Sequence, residues 1–164
     1  MRRNIQTEHP RTLLLENVVE RRIATVEPGL VRDTAIALAR DIRDGGGTPL
    51  GPLIQRLTPR DDPGDRTANE TVLLRQSKSP LSPSDLSPGV GVHDRIEVPG
   101  CIVARFRGDA SDLEVVYAKL TVHAYENDLV LDGTVHLVFL GEDGMNLTVD
   151  AFAGTVEKGS HAGR

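Results

Sequence analysis

The side chains that do chemistry are thinly spread along this chain. Five histidines, His9, His93, His123, His136 and His161, show no spacing that would gather them on one metal ion, so no metal site is expected. Cys101 is the single cysteine and lies in the apolar run Cys101-Ile102-Val103-Ala104. It reads as a small buried hydrophobe with no group nearby to activate its thiol. Gly45-Gly46-Gly47 lacks the trailing Lys and Ser/Thr of a phosphate cradle, and neither a Ser-His-Asp order nor a dinucleotide fingerprint is present. Three carboxylates remain as candidates for a site acid: Glu16, Glu20 and Asp150. Aromatic side chains are scarce, at 3% of residues, so Tyr117 and Phe139 are the natural candidates for the walls of a ligand pocket. Tyr125, at a helix end, is expected on the surface.

These residues depend on a pattern that occurs twice. Val31, Ala35, Leu38 and Ile42 form an apolar stripe at helical spacing. An offset of 82 residues carries them onto Leu113, Tyr117, Leu120 and Ala124, Gly51 onto Gly133, and Leu57 onto Phe139. The first helix is expected from Pro28 or Gly29 to Asp44, with Pro28 in its first turn and the three glycines as its stop. The second follows Gly108 to Ser111, with Ser111 and Glu114 at capping-box spacing and Asn127 as a left-handed stop. Strands are expected at 5–8 and 12–15, interrupted at Pro10, and at 53–57 and 71–75. In the second half they are expected at 95–98, 101–106, 134–140 and 147–152, with turns at Asp132-Gly133 and Gly141–Gly144.

The fold class is therefore α+β: two βαββ repeats related by a pseudo-twofold axis, with a mainly antiparallel sheet and two principal helices. Residues 1–76 form the first repeat, 77–92 a Pro/Ser-rich and poorly packed linker, 93–153 the second repeat and 154–164 a disordered tail. The seam between two such copies is the natural place for a ligand.

Composition narrows the function classes. The chain has 164 residues, 38% of them apolar and 26% charged, as in an ordinary globular domain. A lone cysteine rules out an internal disulfide and fits a reducing cytoplasm. Arg2 and Arg3 have no apolar stretch behind them, so no signal peptide is expected, and no run of about 20 apolar residues predicts a membrane span. The net charge of −5 opposes non-specific nucleic-acid binding.

The second half resembles a known family. Ile96-Glu97-Val98-Pro99, then Val103-Ala104-Arg105-Phe106-Arg107-Gly108, then a helix with Tyr117 and Leu120, then Asn127-Asp128-Leu129 and Gly133, is similar to the gyrase-inhibitor-like (GyrI-like) domain, the effector-binding module of AraC-type and MerR-type bacterial regulators. The match covers 94–152 in order and 5–75 in shape. It implies a groove that binds hydrophobic or amphipathic small molecules, often cationic and multidrug-like, against aromatic walls and a buried carboxylate. It implies no cofactor and no direct DNA contact, since no helix-turn-helix accompanies the module.

Many members of that family carry Gly-x-x-x-Glu-x-Tyr on the strand after the turn glycine. Here Leu137 and Phe139 occupy the Glu and Tyr positions, and Gln55 and Leu57 occupy them in the first half. The expected groove residues are Tyr117, Leu120, Leu137 and Phe139 with Gln55 and Leu57, and no catalytic residue is assigned. The acid and the hydroxyl of the family's hydrolases are both replaced, which argues against an enzyme. Hydrolysis of a reactive hydrophobic compound and a protein–protein interaction module are the alternative readings. A haem-binding version would depend on His136 as its axial ligand.

Overall fold

A computed structural model describes residues 5–24, 27–60 and 69–156. Residues 61–68 and 157–164, His161 among them, lie outside the described residues. Among the described residues there are six strands and two α-helices: β1 (Gln6–Ile23), α1 (Pro28–Asp44), β2 (Pro49–Pro59), β3 (Asn69–Ser77), β4 (Gly91–Asp109), α2 (Val115–Glu126), β5 (Val130–Asp143) and β6 (Asn146–Val156). The fold is α+β with antiparallel strand pairing. The chain divides into two compact units. One is Leu14–Glu97; the other joins Met1–Leu13 to Val98–Arg164.

In the Leu14–Glu97 unit, α1 places the stripe read from the sequence against the sheet. Leu38 and Ile42 are fully buried with Val19, Ile23 and Leu73, and Val31 and Ala35 pack at the edge of that cluster. Proline at the helix start supplies a preset φ where no donor is needed. The helix stops because Gly46 adopts φ +87°, which lets the Gly47 N–H reach the Ile42 carbonyl at 2.8 Å. Gly47 must also be small: a Cβ there would lie 2.5 Å from Ser77 Oγ and 2.9 Å from Leu81.

Asp41, outside the apolar stripe of α1, is also buried. It accepts from Arg21 Nε at 2.6 Å and from the Ser87 hydroxyl at 3.4 Å. Its position three residues after Leu38 puts it at the margin of the buried stripe, where a charge persists only with partners. The segment expected to be a poorly packed linker also differs. Leu81, Leu86 and Val90 pack on the α1 cluster, and a 3-10 turn spans Pro83–Asp85. Apolar residues spaced among prolines suffice to seal the open end of a small core.

Pairing in this unit places β3 between β1 and β2, with Val19 opposite Arg75 and Gln55 opposite Leu73. The other unit uses the same order, with β6 between β4 and β5. Each unit has an irregularity at a matching glycine in the strand after its helix: β2 shifts register between Leu50 and Ile54, around Gly51 at φ +71°, and β5 between Leu131 and Val135, around Gly133 at φ +91°; β5 shifts again between Phe139 and Gly141. Asp132-Gly133 is therefore a bulge within one strand and not a turn between two. The Thr134 N–H donates to Asp132 Oδ1 at 2.8 Å and fixes its shape.

Pro10 and Pro99 do not end strands. β1 and β4 run through them, because the φ of proline suits extended backbone and only a donor is lost. Residues 154–156, expected in a disordered tail, belong to β6. The Ser111–Glu114 capping box does not form. Asp109 Oδ1 accepts from both the Ser111 N–H (2.8 Å) and its hydroxyl (2.7 Å), so an ionised acceptor takes the donor, and a 3-10 turn at Ala110–Asp112 precedes α2. At the other end Asp128, at φ +58°, adopts the left-handed conformation expected of Asn127. Asn127 instead turns its amide onto the His123 carbonyl at 2.9 Å.

Two stability outcomes follow from this packing. Leu38→Ala removes a fully buried side chain beneath α1 and should cost about 2–5 kcal/mol in urea unfolding. Gly47→Ala overpacks the α1–β2 corner and should cost about 1–3 kcal/mol, whereas alanine at Gly29, with open space around it, should not destabilise.

Candidate functional site

Strand register decides which side chains can act together. Residues directly opposed in an antiparallel pair project from the same face, and neighbours along a strand alternate. In the unit containing β4, β5 and β6, Val103 is opposite Phe152 and Arg105 is opposite Asp150. These four share one face, and His136, opposite Phe152, joins them there. Ala104, Phe106, Val149, Ala151, Leu137 and Phe139 share the other face.

A cleft of about 290 Å³ opens on the first of these faces. It is lined by Val103, Arg105, Asp150 and Phe152 together with Gln6, Glu8 and Arg11 from the start of β1. Its strongest feature is a bidentate ion pair. Arg105 Nε and Nη2 donate to the two carboxylate oxygens of Asp150, each at 2.7 Å. Parallel N–H···O bonds of this kind hold both planes in a fixed orientation. The bonds to Asp150, and then its charge, raise the Arg105 pKa above its already high ordinary value. Asp150 is mostly covered, while half of the Arg105 side chain stays open. A second pair, Arg11 Nη1 to Glu8 Oε2 at 2.5 Å, lies on the exposed rim. Val103 and Phe152 form an apolar step beside the charges.

Of the three candidate acids, Asp150 thus lines a cleft, but with both oxygens already taken. Glu16 is exposed, and only its backbone N–H is engaged, with the Gln76 side chain at 2.9 Å. Glu20 belongs to the Leu14–Glu97 unit and is mostly buried. Its Oε2 lies 3.0 Å from His93 Nε2 and 3.4 Å from Arg56 Nη2. Gly91 makes room for it, since a Cβ there would lie 2.7 Å from Glu20 Cγ.

The expected groove residues fall in both units. Leu137 is buried, and it shares with Phe139 the face of the sheet opposite the cleft. Leu120 is buried on α2, and Tyr117 on the same helix is half-buried. Burial, and then the Glu114 charge, push the Tyr117 phenol above its ordinary value of 10.0. Gln55 is buried, and Gln55 and Leu57 lie on the α1 side of their own sheet, opposite Leu73 and Thr71. The sequence reading gave no site role to Arg105, Glu8, Arg11 or Phe152. Opposite charges at Arg105 and Asp150, each on a strand expected from the sequence, were the available signal.

Cys101 is buried and donates to the Val98 carbonyl at 3.2 Å. Burial pushes its thiol above the ordinary value of 9.0. Among the described residues, no group of three His, Cys, Asp or Glu side chains could hold a metal ion, and no helix is long and apolar enough to cross a membrane.

No protein-family model and no curated protein matches this chain. Solved structures do. The EcmrR C-terminal domain aligns with 94% of this chain and 99% of its own, at 10% identity and a TM-score of 0.68. A Listeria innocua hydrolase aligns over 94% and 92%, at 15% identity and a TM-score of 0.55. SAV2435, solved bound to tetraphenylphosphonium, aligns over 97% and 98%, at 8% identity and a TM-score of 0.53. At these identities the likeness is one of fold.

Cys101 and Tyr117 both have raised folded-state values, so their contribution to stability is complete below the unfolded pKa and is lost as pH climbs through the folded one. The window opens at pH 9.0 for Cys101 and at pH 10.0 for Tyr117. Cys101 should resist alkylation at pH 8 in native protein and react rapidly in denaturant. Phenolate absorbance should reveal a late alkaline phase that is missing in Tyr117→Phe.

Proposed function

We propose that this chain is a small-molecule-binding protein of the GyrI-like type, taking hydrophobic or amphipathic ligands. The observation that carries this reading is the cleft beside Arg105 and Asp150: concave, part apolar and part charged, with its polar groups oriented before any ligand arrives. Its volume suits a compact molecule. The shared fold supports the reading, since one protein of this fold holds a lipophilic cation and another is a regulator's C-terminal domain. The common strand order and the matching bulges at Gly51 and Gly133 support an origin in two copies of one βαββ unit. Leu137 and Phe139 serve this site indirectly, by anchoring the far face of the sheet. Hydrolysis gains no separate support from the cleft, whose covered carboxylate, Asp150, is held bidentately by Arg105.

The test is a thermal-shift series on the full chain with lipophilic cations including tetraphenylphosphonium, neutral dyes and aromatic acids. A binder present at a hundredfold excess over its Kd stabilises the folded state by about 2.7 kcal/mol and raises Tm by several degrees. A folded protein that shifts with no compound in such a panel would contradict the proposal.

A further inference from the structure

The charge arrangement in the cleft selects among ligands. It carries two guanidinium groups and two carboxylates, and each carboxylate is already matched to a guanidinium: Glu8 by Arg11 and Asp150 by Arg105. A site for a lipophilic cation needs the reverse, a carboxylate left without a partner and waiting for one. The spare capacity here lies on the donor side. A guanidinium has five N–H donors, and Asp150 takes one from Arg105 Nε and one from Nη2. The rest of that planar group, on a side chain half open to the cleft, points donors at whatever enters. Asp150, mostly covered and engaged through both oxygens, has little to offer a donor in return.

The apolar half of the cleft completes the description. Val103 and Phe152 are opposed across the β4–β6 pair, two residues along from the opposed Arg105 and Asp150 and on the same face. A ligand lying along the sheet would rest an aromatic or aliphatic body on Val103 and Phe152 and bring an acceptor to Arg105. Because Asp150 pins the guanidinium in advance, binding would not have to freeze a long flexible side chain.

We propose that the cleft is a binding site for small aryl or alkyl carboxylates, whose oxygens accept from the open edge of Arg105 and whose apolar body packs on Val103 and Phe152. This inference rests on the small-molecule-binding reading and narrows it from hydrophobic or amphipathic ligands in general to amphipathic acids, because the carboxylates of the cleft are already paired. Arg11, on the exposed rim, is tied to Glu8, and the contact does not need it.

The test uses the full chain and 2-naphthoate, with 2-naphthylmethanol and tetraphenylphosphonium as controls. Calorimetry should show naphthoate binding more tightly than either control. The Arg105 Nε–H resonance in ¹⁵N-labelled protein should move on titration with naphthoate. The double variant Arg105→Gln/Asp150→Asn, which removes the pair without leaving an orphaned carboxylate, should lower naphthoate affinity at least tenfold and 2-naphthylmethanol affinity by a much smaller factor. If the double variant fails to fold, Phe152→Ala with the Arg105 resonance as readout carries the same test, and it should weaken naphthoate and 2-naphthylmethanol together. Tetraphenylphosphonium binding without naphthoate binding would overturn this inference and leave the broader proposal standing. Naphthoate binding that leaves the Arg105 resonance unmoved would overturn it too. Failure of every compound to bind would remove the broader proposal first.

Discussion

Strand register is the constraint on which the rest of this structure depends. Once β6 lies between β4 and β5, the face of every side chain on those strands is decided. Arg105 and Asp150 must meet, and Val103 must sit beside Phe152. Leu137 and Phe139 must face the other way. A slip of one residue would bury the Arg105–Asp150 pair and expose Phe106, Ala104 and Ala151, which are fully buried as built. The cost of that exchange holds the register, and the register builds the cleft.

The same logic separates packing from binding. On the Leu14–Glu97 unit, the α1 side of the sheet is committed to core: Val19, Ile23 and Leu73 close against Leu38 and Ile42, and Leu81, Leu86 and Val90 cover the rim. Gln55 and Leu57 belong to that side by their pairing with Leu73 and Thr71, so they are more use to the core than to a ligand. Three carboxylates that penetrate the units have partners. Asp41 has Arg21 and Ser87, Glu20 has Arg56 and His93, and Asp150 has Arg105. In low-dielectric surroundings an unmatched carboxylate would be expensive, and each of these is matched.

Much of the fold was legible in the sequence. Helical periodicity located α1 to the residue, and the recurrence of the helix and glycine pattern at a fixed offset correctly anticipated two sets of strand, helix, strand and strand. Local competition was harder to read. Asp109 displaced the Ser111 capping box because an ionised acceptor two residues upstream outcompetes a more distant partner. Pro10 and Pro99 looked like strand ends because proline lacks a donor, yet neither strand ends there. The candidate site was the least legible part. Resemblance directed attention to Leu137 and Phe139, the positions where this chain departs from the GyrI-like pattern. The residues that form the cleft come from three distant strands, and their meeting depends on a register that no single strand encodes. Only the opposite charges of Arg105 and Asp150 hinted at it.

The central claim is that this fold holds a compact amphipathic molecule over Val103 and Phe152 with its acceptor at Arg105. The most direct measurement is a crystal structure of the full chain grown with an aromatic carboxylate. The account predicts ligand density in that cleft, with an oxygen within hydrogen-bond distance of the Arg105 guanidinium and the Asp150 pair intact. An empty cleft in a crystal whose protein binds the same ligand elsewhere would contradict it.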